Sequence, residues 1–104
     1  INKENEANKY AEKLAQEITF EKSEDEYGDI TYTAIVENTS EIEFESIFYN
    51  VQYKDKDGIV VGNDNILLEN FNPGTKQKVK LILAPEETET IGVSLDNISL
   101  DDEM

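Results

Sequence analysis

Apolar side chains recur at every second position through Ile47, Tyr49, Val51 and Tyr53. Between and after them stand Phe48, Asn50, Gln52 and Lys54, more polar towards the far end. An extended chain turns successive side chains to opposite faces, so this alternation predicts a strand with one face in a core and the other wet. Asp57-Gly58 follows, a dipeptide that tolerates the positive φ of a two-residue primed hairpin turn. Ile59, Val60 and Val61 resume with β-branched residues and begin the return strand.

The remaining pattern supplies further strands. Ala7, Tyr10, Ala11, Leu14 and Ile18 lie at helical spacing, which suits a short amphipathic helix or a linker that becomes helical when packed. Ile18 and Phe20 alternate with Thr19 and Glu21, predicting a first strand, and an acidic turn follows at 24–29. A second strand is expected over 29–38, with Ile30, Tyr32, Ala34 and Val36 on one face and Ile35 the exception. Asn38-Thr39-Ser40 reads as a loop, and Phe44 opens the central strand. Asn63-Asp64-Asn65 interrupts the apolar pattern, which Ile66-Leu67-Leu68 resumes. Asn72-Pro73-Gly74-Thr75 is a turn, because Pro sets φ at its first corner and Gly frees the second. Val79, Leu81 and Leu83 form a strand ended by Pro85. Ile91, Val93 and Leu95 form a last one, continued past Asp96-Asn97 by Ile98 and Leu100.

About seven short strands and one terminal helical pattern imply an all-β, antiparallel sandwich, with a small barrel as the competing architecture. The expected organisation is a linker or helix over residues 1–16, the β domain over 17–100 and a disordered acidic tail over 101–104. A chain of 104 residues suffices for one such domain without disulfides, and it contains no cysteine.

The formal charge of −15 comes from 24 acidic residues against nine lysines. Repulsion from phosphates makes nucleic acid and anionic membrane surfaces poor partners. Lys76, Lys78 and Lys80 alternate on one strand, where they guard a solvent-facing strand against edge pairing. No apolar run approaches the ~20 residues of a membrane span, so this segment is not expected to insert directly. The chain starts at Ile1, and a processed fragment is expected, whose signal or anchor left with the missing part.

The stretches Ala34-Ile35-Val36-Glu37-Asn38, Asp55-Lys56-Asp57-Gly58 and Phe71-Asn72-Pro73-Gly74 occur in an order that resembles a known family. The chain is similar, over roughly residues 17–95, to the FxLYD-type and related immunoglobulin-like domains of bacterial lipoproteins and cell-surface proteins. The residues at the defining motif are Val51-Gln52-Tyr53-Lys54-Asp55. Only the final aspartate matches literally, Val51 and Tyr53 keep the apolar phase, and Lys54 departs from it. The resemblance implies an immunoglobulin-like β-sandwich and an extracellular, extracytoplasmic place, commonly behind a lipoprotein or membrane anchor. It implies no catalytic residues.

Histidine, cysteine and arginine are absent, which removes the Ser-His-Asp and Cys-His nucleophilic systems, the usual zinc and copper ligands and bidentate anion clamps. No Gly-rich phosphate loop occurs. Paired carboxylates remain as a route to glycoside hydrolysis, which would need two acids in a cleft. Calcium is the other oxygen-ligand chemistry: Asp55, Asp57 and Asp64 bracket one turn, and Asp25, Glu26 and Asp29 crowd another. Neither has EF-hand spacing, and an Asp-Gly turn explains its aspartate by local backbone hydrogen bonds. Tyr32, Tyr49 and Tyr53 fall in phase with the core. Phe48 and Tyr27 do not, and are the candidate contact residues, unless Phe48 lies under the N-terminal helix. Asn38-Thr39-Ser40 and Asn97-Ile98-Ser99 match the glycosylation acceptor pattern, a match short enough to arise by chance.

The expected function is that of a non-enzymatic extracytoplasmic spacer or protein-interaction module, with no catalytic, cofactor or metal residues. The alternative is a small-ligand or calcium-binding domain of the same fold.

Overall fold

The computed structural model describes the chain from residue 2 to residue 100. Helix α1 (Asn2–Glu17) is followed by six strands: β1 (Glu21–Glu24), β2 (Ile30–Glu37), β3 (Phe44–Lys54), β4 (Val60–Phe71), β5 (Lys76–Leu81) and β6 (Thr90–Leu100). They form two antiparallel three-stranded sheets, ordered β1-β2-β5 and β4-β3-β6. Both sheets and the helix contribute to one core. Ile1 and the acidic tail at 101–104 lie outside the described residues.

The alternation in β3 becomes burial as expected. Ile47, Tyr49, Val51 and Tyr53 are all buried, facing Tyr32, Val36, Val79 and Leu81 of the other sheet within the same core. Strand β3 is central because it alone is paired along its length on both sides.

Six strands replace the expected seven, for local reasons. Ile18 and Phe20 precede the first strand and pack half-buried against the core, and pairing starts only at Glu21, opposite Thr33. Asn63-Asp64-Asn65 does not interrupt β4. Asn63 and Asn65 take the wet face, and the Asp64 carboxylate lies inward at the rim, where the Tyr53 hydroxyl donates to it at 3.0 Å. Asp96 falls between Leu95, paired with Tyr49, and Asn97, paired with Phe48. It is the extra residue of a bulge, which lets β6 run on without reversing its faces. Strand β5 stops at Leu81 rather than at Pro85, leaving Ile82 and Leu83 exposed. The Pro85 ring instead rests on Gly62, where a Cβ would come within 2.9 Å of Pro85 Cγ.

The hairpin turn also differs from the expected primed type. Gly58 has φ +81° and Asp57 is not in the positive-φ region, so only one residue is left-handed. Gly58 N donates to Asp55 O at 3.0 Å, and Asp55 Oδ1 accepts from the N–H groups of Asp57 and Ile59. This is a tight turn followed by a left-handed glycine, the geometry of a three-residue hairpin loop. Asp25-Glu26-Tyr27-Gly28-Asp29 repeats it bond for bond, with Asp25 Oδ1 accepting from Tyr27 N and Asp29 N.

Helix α1 is part of the domain rather than a linker beside it. Strand β1 covers only the first half of β2; α1 packs against β6, and its Tyr10 hydroxyl reaches Glu37 O at the far end of β2. Ala7, Ala11, Leu14 and Ala15 are buried. The small side chains let the helix backbone come close enough for the Tyr49 hydroxyl to donate to Ala11 O at 2.8 Å. The Tyr10 hydroxyl accepts from Thr39 N at 2.8 Å, and its ring stacks on Phe44 with centroids 6.1 Å apart.

Burial pushes the phenols of Tyr49 and Tyr53 well above the ordinary tyrosine range, and the hydrogen bond to Asp64 adds to the effect at Tyr53. A group with a raised folded-state pKa contributes its full stability below the unfolded value of about 10, and loses it as pH climbs through the folded value. The urea midpoint should therefore fall as pH rises above about 10. The paired variant Tyr49→Phe/Tyr53→Phe should flatten that fall. An equal slope in the variant would show that neither phenol is responsible.

Candidate functional site

The antiparallel register of β4-β3-β6 determines which side chains share its outer face. Beside Phe48 stand Leu67 of β4 and Asn97 of β6; beside Asn50 stand Asn65 and Ser94; beside Gln52 stand Asn63 and Gly92. These nine positions carry no charge, in a chain in which 32% of residues are charged. Charge returns at the ends, with Glu69 opposite Ser46 and with Lys54 beside the turn, and at the β6 edge, where the exposed bulge residue Asp96 adjoins Asn97. Strands about 4.8 Å apart, with same-face residues about 6.8 Å apart, make this a plate of roughly 10 by 14 Å.

Phe48 is half-buried and Leu67 is 52% exposed, so the plate has an apolar end. The helix does not cover Phe48, because α1 packs on the opposite side of the sheet, where Tyr49 points. Asn65 Nδ2 donates to Asn50 Oδ1 at 3.2 Å, and the amides of Gln52, Asn63 and Asn97 are turned to solvent. A shallow depression of about 420 Å³ runs between Asn50, Gln52, Asn63, Asn65 and Ser94, with Asp64 also in its lining. An amide offers two donors and an acceptor on one planar group, and a row of them can hold a ligand that both donates and accepts.

A second exposed region lies at the end of the molecule that carries the two Asp-Gly turns. Tyr27 is 82% exposed, and Ile82, Leu83 and Ile59 are exposed with it. A depression of about 560 Å³ there is lined by Asp25, Asp29 and Glu86 together with Ile30 and Ile82.

Of the six acidic side chains weighed for calcium, three accept hydrogen bonds within the chain and the other three, Glu26, Asp29 and Asp57, are exposed. Asp25 and Asp55 cap their own turns, Asp64 takes the Tyr53 hydroxyl, and Glu26 and Asp57 are exposed turn positions. Among the described residues no three acidic side chains are grouped as a metal ion would require. Lys76, Lys78 and Lys80 stand on the outer face of the other sheet, opposite Glu37, Ile35 and Thr33.

Asn38 is not an accessible acceptor site but a buried junction. Its side chain donates to Ile42 O at 2.8 Å and Phe71 O at 2.9 Å and accepts from Ser40 N and Ser40 Oγ. Its backbone bonds to Thr75 and Gly74. Asn97, by contrast, is exposed on the uncharged plate.

No family model, curated protein or solved structure matches this chain.

Proposed function

We propose that this chain is a non-enzymatic binding module that uses the outer face of β4-β3-β6 as its contact surface. The observation that carries the reading is the uncharged plate on a chain of formal charge −15. Interface cores are depleted in Lys, Glu and Asp, because burying an unpaired charge is costly. Asn, Gln and Ser with a half-open Phe48 and Leu67 are compatible with being covered. The strand orders β1-β2-β5 and β4-β3-β6 support an immunoglobulin-like sandwich. They correspond to A-B-E and C′-C-F of that fold, with strands D and G having no counterpart. The resemblance to FxLYD-type domains supports an extracytoplasmic place on a bacterial surface protein or lipoprotein.

A second reading rests on the exposed Tyr27, Ile82 and Leu83 beside acidic turns, a surface suited to a cationic protein segment with apolar side chains. One experiment separates the two. Fluorescently labelled protein is incubated with bacterial cell-envelope material and the retained fraction measured for Phe48→Lys/Leu67→Lys and for Tyr27→Lys. Loss of retention in the first variant alone is the expected result. Loss in the second alone would move the contact surface to the turns, and retention unchanged in both would remove both surfaces.

A further inference from the structure

We infer that the plate on β4-β3-β6 binds a neutral polyhydroxylated chain, a glycan without carboxylate, sulfate or phosphate groups. The inference rests on the contact-face reading above and names its ligand class. Three features carry it, and the first is the charge pattern. An anionic ligand finds no cation among the nine central positions, and the one carboxylate in the lining of the depression, Asp64, is engaged by the Tyr53 hydroxyl and the Asn65 N–H. Lys54 and Glu69 mark opposite limits of the plate, and the exposed Asp96 in the bulge marks its β6 edge.

The second feature is donor and acceptor density. Each sugar hydroxyl donates once and accepts, so adjacent hydroxyls are matched by side chains offering both functions within a few ångströms. Asn50, Asn63, Asn65 and Gln52 provide this around one depression of about 420 Å³, with the Ser94 hydroxyl and the Asp64 carboxylate also in its lining. A protein partner would have to pair every one of those amides or leave them desolvated and unbonded. The third is shape. Three adjacent strands give an open, shallow surface, along which Phe48, Asn50 and Gln52 follow one another about 6.8 Å apart. Half-buried Phe48 presents part of its ring beside Leu67, an apolar platform for the C–H face of a pyranose at the end of the amide row.

The test is NMR titration of the ¹⁵N-labelled full chain with cellohexaose, maltohexaose and chitohexaose, with polygalacturonate as the anionic comparison. At least one neutral oligosaccharide should move the side-chain NH₂ signals of Asn50, Gln52, Asn63 and Asn65 in a saturable way, and polygalacturonate should leave them in place. Phe48→Ala and Asn63→Ala should each weaken that binding about tenfold, and Lys78→Ala on the other sheet should not. Asn63 is exposed, so its truncation reports on binding even where Phe48→Ala lowers stability. Amide signals unmoved by all three neutral chains, or moved equally by polygalacturonate, would overturn the inference.

Envelope material treated with periodate, which cleaves vicinal diols, or with protease separates this inference from the broader reading. Retention abolished by periodate and surviving protease supports the glycan. Retention abolished by protease alone, and still lost in Phe48→Lys/Leu67→Lys, overturns the glycan and leaves the contact face standing.

Discussion

Exchanging Asn38 for aspartate should destabilise the fold by about 3–5 kcal/mol, although the two side chains have nearly the same shape. The amide nitrogen lies 2.8 Å from Ile42 O and 2.9 Å from Phe71 O. Aspartate places an oxygen there, so two carbonyls face a third acceptor unless the acid takes up a proton. The site is fully buried, so the loss of the donor leaves both carbonyls desolvated and unpaired. Asn38→Ala keeps the backbone bonds to Thr75 and Gly74 but strands Ile42 O, Phe71 O and Ser40 N. It should cost about 2–4 kcal/mol. Small domains hold about 5–15 kcal/mol in all, so the aspartate variant stands close to unfolding at room temperature. Urea midpoints decide it. A shift in Asn38→Asp of less than about 0.5 kcal/mol, the size of an ordinary surface change, would mean that the junction is dispensable.

Ala11→Asp is the second large effect, expected at about 3 kcal/mol or more. Ala11 is buried beneath the sheet edge, and its carbonyl receives the Tyr49 hydroxyl. A carboxylate at that point must either be desolvated without a partner or lever the helix away. The second course exposes Leu14 and Ala15 and uncovers Phe44, against which Tyr10 stacks. Circular dichroism and a urea titration on the same sample distinguish a structural helix from an appended one. Helical signal and midpoint should fall together. Loss of helix with an unmoved midpoint would make α1 a separate linker, and the core would then be complete without it.

The contrast between these two sites shows what could be read from the chain before any coordinates. The alternation at Ile47, Tyr49, Val51 and Tyr53 was legible because burial on one face of a strand is a local property of spacing. The places of the turns at Asp25, Asp55 and Asn72 were legible because their chemistry is contained within four or five residues, while the primed type expected at Asp57-Gly58 was not the one formed. Asn38 was not. Its partners Ile42 and Phe71 come from two different segments, and in sequence Asn38-Thr39-Ser40 looks like any polar loop. The helix was visible, but its role was obscured by alanines that look like a weak apolar stripe and in fact set the close approach to Tyr49. The expected break at Asn63-Asp64-Asn65 failed for a related reason, whereas the expected continuation of the last strand past Asp96-Asn97 holds. Polar residues can occupy the wet face, the rim or a bulge without ending a strand. The uncharged plate needed the register most of all. Asn50, Asn65 and Ser94 are unremarkable singly, and only the pairing of β3 with β4 and β6 makes them neighbours.

The contact between α1 and β6 has a kinetic side. It joins the first and last elements of the described chain, and β6 also supplies one whole flank of β3, with Phe44 opposite Leu100. Until β6 is in place the helix therefore finds only part of its docking surface, at Thr39, Phe44 and Tyr49. Closing such long loops costs chain entropy before any contact compensates, and topologies dominated by distant pairings fold slowly, on the order of milliseconds to seconds.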